Sequence, residues 1–569
     1  MTATPGAPAE RRRPDRADLV VGLGSVAAFV SLVRLGRGLT FFADEWAVIE
    51  DRPIGIETFF RPFNEHWLGV TTLVHRAMVE TIGLGTYVPY LALLAALHVV
   101  VALLVYAVAR RLTLAPVAAG IAVVVLFFGS GFENLFWGMQ IGFLGAIALG
   151  LGALLLLEGT PGRGRVAAAV ALLVVAVATS GYGLFLLGFV VLDVLLDPRR
   201  RRLVAPLFVP AGTWLTWYVA VGRSGVATHG DPFTLDQALS IPGFIVRGAG
   251  AAFGGATGVG PLLGIVVAGG VVAWLVALAV QRGTIPPRAL AAIGAIVAMY
   301  GLLALVRSQL EEVEATQYTR YTYLSGILAL VALAAVVGRP TVAVAGRERL
   351  LAVGGFGAVL ALSLVWNGAL LVSGRELFAE RADLTRALIE LGLERPLPDG
   401  VDPELSLVLV PSPNALPGII ERFGSPLADS LAGDAVRPIP DDAREEALRR
   451  AQNPPEWLLE QQAMAYWARL TGQSVARIQS FEVDEDNVRT CHGFGHELCG
   501  EARAREDEQA GTGRVCASGK KIAGSFQLSK VAHGSEPGTT LRFADRQHGR
   551  SLGSGIPAEG DDIDLEPGP

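Results

Sequence analysis

Lysine is almost missing from this chain. It occurs only at Lys520, Lys521 and Lys530, and the other 44 of the 47 cationic residues are arginine. Alongside so much Ala, Gly and Val, that bias reads as coding preference in a GC-rich genome, and with a net charge of −6 it implies no nucleic-acid partner. Cysteine is as scarce: three in 569 residues, Cys491, Cys499 and Cys516, too few for a disulfide-dense scaffold. Charged residues make up 18% of the chain against 51% hydrophobic, with a mean hydropathy of +0.46, which excludes a set of ordinary soluble domains.

What is present is a succession of apolar runs of about 20 residues, the length a helix needs to cross a hydrocarbon core about 30 Å thick. They fill the first 373 positions and stop at Gly374. The expected fold is an α-helical polytopic membrane protein with about 11 transmembrane helices, near 18–39, 87–109, 113–129, 141–158, 164–180, 182–197, 203–222, 261–280, 287–306, 319–338 and 350–373. The fifth and sixth form one long apolar stretch broken at Ser180-Gly181-Tyr182-Gly183. The Gly-rich segment 241–259, which carries Arg247, is expected to lie at the interface.

Arginine placement tests the count, because loops rich in Arg stay cytoplasmic. The N-terminus, Arg110-Arg111, Arg163 with Arg165, Arg199 to Arg202, Arg282 with Arg288, and Arg339 with Arg347 and Arg349 all fall on one side of such a chain. This predicts a cytoplasmic N-terminal tail (1–17), a transmembrane domain (18–373), an external mixed α/β domain (374–471) and an external polar, partly disordered region (472–569). The basic start at Arg11 to Arg13 precedes no cleavage-site pattern, so the first helix is read as retained. Within the external domain, 374–394 has helical apolar spacing, 406–410 reads as a strand, and helical patterns resume at 441–451 and 456–470.

The polar residues of interest sit at the predicted outer loops. The first carries Asp44-Glu45 and then Asn64-Glu65-His66-Trp67; the second carries Glu133-Asn134; a later one carries Arg307, with Arg320 opening the tenth span. A carboxylate at such a boundary can act as a general base, and Asp44 and Glu45 are candidate ligands for a divalent metal. His66 titrates near neutrality. Glu133 among apolar neighbours suggests a lined cavity or a helix cap, and Arg320 with Arg307 suggests bidentate phosphate binding or an arginine snorkelling to the interface. In the C-terminal region Cys491-His492, His496 and Cys499 offer either a disulfide between Cys491 and Cys499 or a metal cluster of no standard spacing.

The acidic pair after the first helix, the long first loop, the acidic second loop, the Arg-Tyr at a late helix and the external C-terminal domain resemble the polytopic GT-C glycosyltransferases. The likeness is greatest to an uncharacterised actinobacterial group with Asn-Glu-His-Trp-like and Glu-Asn-Leu-x-Trp-like loops, and covers about residues 18–425. That resemblance implies a multi-pass cell-membrane enzyme moving a sugar from a polyprenyl-phosphate donor to a cell-envelope glycan or protein. Asp44 would be the base, Glu45 or Glu133 would position the acceptor or hold a metal, and Arg320 and Arg307 would bind the phosphate. The second member of the acidic pair is Glu rather than Asp, which leaves metal dependence open. Two other readings stand beside it: a transporter or flippase of lipid-linked precursors, and a non-catalytic scaffold with an external binding domain.

Overall fold

A computed structural model describes residues 15–225, 235–307, 319–339 and 346–454, apart from 64–65, 404–405, 408 and 428–437, together with the backbone of five strands between 499 and 554. The first part of the chain forms α1 (Arg16–Leu35), α2 (Asp44–Asp51), α3 (Ile56–Phe60), α4 (Gly69–Ile82), α5 (Val88–Leu112) and α6 (Ala115–Leu126). A one-turn α7 (Glu133–Phe136) leads into α8 (Ile141–Leu156), α9 (Arg163–Thr179), α10 (Tyr182–Leu196), α11 (Val204–Ala220) and α12 (Leu235–Thr257). The remainder is α13 (Gly260–Arg282), α14 (Pro287–Arg307), α15 (Thr319–Val337), α16 (Gly346–Leu393), α17 (Leu416–Phe423) and α18 (Asp441–Gln452). The strands β1 (Cys499–Glu506), β2 (Gln509–Cys516), β3 (Ser525–His533), β4 (Glu536–Asp545) and β5 (Arg550–Ser554) pair in the order β2-β1-β3-β4-β5, with β1 and β3 parallel.

Among the described residues eight helices are long and apolar enough to cross a membrane. Their outward faces are apolar too: Leu23 and Val26 on α1, Val266 and Val280 on α13, and Leu350 and Val365 on α16 stand exposed, as lipid-facing residues do and a water-facing surface would not. Three of the eleven expected spans, at 113–129, 164–180 and 182–197, are helices of only 12, 17 and 15 residues. The first stops early because the chain turns at Phe127, and the other two are separated by extended Ser180.

Segment 241–259 is part of a 23-residue helix packed into the bundle, with Gly248 against the Tyr300 ring and Gly255 against Ser130. The expected boundary at 373/374 lies inside one continuous 48-residue helix, α16, about 72 Å long at 1.5 Å per residue and far longer than a bilayer core. Its last five turns bury Phe378, Leu388 and Ile389 against the first loop and α17. At 406–410 the described residues form a tight turn, Leu407 N–H donating to Val410 O at 3.1 Å, rather than a strand. The helical pattern at 456–470 lies outside the described residues.

The connections gather at two ends of the bundle. One end is rich in paired charge. Asp15 and Asp18 cap α1 reciprocally, and Asp15 accepts from Arg110 at 2.8 Å. Arg288 reaches Glu158 at 2.7 Å and buried Asp193 at 3.0 Å, while Arg200 reaches Asp193 at 3.0 Å and Arg111 completes the network on Glu158. The other end holds the described parts of the first loop (36–63 and 66–68), the turns at 127–140, the break at 180–182, the start of α15 and the outer part of α16.

Candidate functional site

Asp44 opens α2, and the residue before it is strained. Ala43 has φ +48° and ψ −114°, a region that L-residues with a Cβ avoid, and it is the sole non-glycine with positive φ among the described residues. The turn leaves Asp44 partly exposed and is followed by the inward-facing Glu45.

Glu45 is fully buried and fully engaged. Its Oε2 accepts the Phe42 N–H at 2.9 Å and the Tyr87 hydroxyl at 2.9 Å, and its Oε1 meets His75 Nε2 at 3.1 Å. The Tyr87 oxygen in turn accepts the Gly138 N–H at 2.7 Å. Gly138 has to be glycine, since a Cβ there would stand 2.5 Å from Glu45 Oε1. Three segments distant in sequence thus lock one carboxylate, and that carboxylate holds the turn that presents Asp44. Phe42 carries the connection outward: its carbonyl accepts Trp137 Nε1–H at 3.2 Å, and its ring lies under the Arg381 guanidinium.

Glu133 and Arg320 meet one turn away from Trp137. Glu133 Oε2 accepts the Arg320 backbone N–H at 2.9 Å and the Thr319 hydroxyl at 3.2 Å, while the Glu133 N–H donates to Thr319 Oγ1 at 3.1 Å. Glu133 is therefore the acceptor for the free N–H groups at the start of α15, the capping role of an N-terminal carboxylate. The Arg320 guanidinium stands 4.0 Å from Glu133 Oε1 and over the Tyr321 ring, and the Tyr182 hydroxyl donates to the Arg320 carbonyl.

The other expected site residues divide. His66 lies against Gly181 at the α9–α10 break. Arg307 ends α14 and only its backbone is described; Asn64, Glu65 and Cys491 lie outside the described residues, and Cys499 is described only as the start of a strand. No group of three His, Cys, Asp or Glu side chains that could hold a metal occurs among the described residues. Both oxygens of Glu45 are already taken by protein donors, so a resident divalent metal does not fit the Asp44–Glu45 pair. His75, Tyr87 and Thr319 are functional partners the sequence did not point to. His75-Arg76 in the middle of α4 was the available signal, since buried ionisable groups need partners. Arg76 uses its charge on Glu80, whose carboxyl it holds below the usual range.

No family model matches the chain, and no curated protein matches it. The site therefore has to be read from its own geometry.

Proposed function

We propose that the chain is a GT-C-like membrane glycosyltransferase that moves a sugar from a polyprenyl-phosphate donor to a cell-envelope acceptor at the outer face. The observation that carries this reading is the Ala43–Glu45 turn: a strained backbone, fixed by a buried carboxylate, holding one partly exposed aspartate in place. Strain of this kind persists only where the surroundings enforce it, and it concentrates at catalytic positions. Asp44 takes the proton of the acceptor hydroxyl as the sugar is transferred. Arg320, at the same end of the bundle, faces the charge developing on the departing phosphate, and Glu133 fixes the first turn of its helix. Glu45 positions Asp44 and does not touch substrate. The Arg-rich end is cytoplasmic, which puts the Asp44 end outside.

The test is transfer from a panel of radiolabelled polyprenyl-phosphate sugars to cell-envelope acceptors by the purified protein in lipid. Asp44→Asn, which keeps size and removes basicity, should lower the rate by about 10²- to 10⁴-fold with the fold retained. Unchanged transfer by that variant would remove Asp44 from the mechanism, and no transfer by the wild type with any donor would remove the reading.

A further inference from the structure

Three arginines at the Asp44 end have no carboxylate partner among the described residues, as is also true of Arg163 and Arg201 at the other end. Among the described residues no Asp or Glu pairs with Arg34, Arg37 or Arg375, whereas Arg110, Arg111, Arg200 and Arg288 are each matched. Arg375 Nε lies 3.4 Å from Leu35 O, so the outer part of α16 reaches the last turn of α1, where Arg34 stands next in the chain. That contact uses one of five guanidinium donors, and no described residue accepts from Nη1 or Nη2.

The surfaces beneath them are apolar and continuous. Exposed Leu19, Leu23, Val26 and Val30 follow spacings of three and four along α1, and the same spacing leads to Arg34 and then Arg37. On α16, exposed Leu362, Val365 and Val372 lead in the same way to Arg375. Two hydrocarbon-facing stripes thus end in arginines on two helices that meet through Arg375 and Leu35, the complement of an amphiphile with a long apolar tail and an anionic head. Arginine forks suit phosphate oxygens, because two parallel N–H donors match two oxygens.

We infer that the junction of α1 and α16 binds the phosphate of a membrane lipid, its tail lying along the two stripes. The site is separate from the Glu133–Arg320 pair and does not rest on the proposed reaction.

The experiment uses the full chain in nanodiscs and tail-matched probes, read by native mass spectrometry: polyprenyl phosphate against polyprenol, and phosphatidylglycerol against diacylglycerol, with inorganic phosphate alone as a third arm. The wild type should retain a phosphate-bearing lipid about tenfold better than its phosphate-free counterpart, the size of one charge-assisted contact. The exposed pair Arg34→Gln with Arg37→Gln should cut that preference, and adding Arg375→Gln should abolish it. Arg163→Gln with Arg201→Gln, at the opposite end, should leave it intact. Preference for polyprenyl phosphate makes the site a station for the carrier lipid, and preference for phosphatidylglycerol makes it a bound phospholipid; either upholds the inference. Equal retention of charged and uncharged lipids, a triple variant that behaves as wild type, or inorganic phosphate bound as well as the lipids would overturn it.

Discussion

Glu45 illustrates how a residue chosen from the sequence for chemistry turns out to hold structure. A buried carboxylate is tolerated only when its lone pairs are met, and here Phe42, Tyr87 and His75 meet them. Replacing Glu45 by Ala strands a buried N–H, a phenol and an imidazole together, so a loss of about 3 kcal/mol is expected, read as a lower thermal midpoint in lipid. Ala43 makes the opposite case. Its positive φ costs an alanine what a glycine avoids, so Ala43→Gly should raise the midpoint and Ala43→Val should lower it. If both shift the same way, the strain is not the energetic feature taken here. Neither partner of Glu45 was legible in the sequence, because His75 and Tyr87 stand 30 and 42 residues away and reach it only through the fold. The acidic pair itself was legible, since charge at the end of an apolar run is visible without any structure.

At the scale of elements, hydropathy located the long helices, whose composition alone decides their burial in lipid. It located less well what depends on packing. α12 is too Gly-rich and too mixed in polarity to stand out, yet its glycines are what admit Tyr300 and Ser130 so closely. The end of apolar composition at Gly374 suggested a domain boundary, but helix geometry does not stop where hydropathy does, and α16 runs on with its later turns buried against the first loop. Gly129 shows how tightly the second loop packs on that helix: a Cβ there would fall 1.9 Å from Asn367 O, so Gly129→Ala should cost about 1–3 kcal/mol by overpacking, scored by thermal unfolding. Glu133 makes a separate prediction. As the cap of α15, Glu133→Ala should cost about 1–2 kcal/mol, while Arg320→Ala, whose guanidinium is 4.0 Å from the carboxylate, should cost less. A larger loss from Arg320→Ala would mean that the ion pair, not the cap, dominates.

At the scale of the molecule, the sorting of loops into two ends is what gives a site meaning, because a membrane makes the ends chemically different. The paired end carries Arg111, Arg200 and Arg288 in a shared network on Glu158 and Asp193, with Arg110 on Asp15, and the positive-inside rule predicts that it is cytoplasmic. On that expectation the Asp44 end faces outward, and the carrier lipid of the proposed reaction presents its head there. Thiol labelling in intact cells decides this. With Cys491, Cys499 and Cys516 replaced by serine, a single cysteine at Gly55, between α2 and α3, should react with a membrane-impermeant maleimide, and one at Gly162, before α9, should react only after the membrane is opened. The reverse pattern would place Asp44 in the cytoplasm, where an acceptor exported to the envelope could not reach it. Labelling of both sites in intact cells would mean that the two ends of the bundle are not separated by a bilayer, and the apolar outward faces of α1, α13 and α16 would then need a protein partner to cover them.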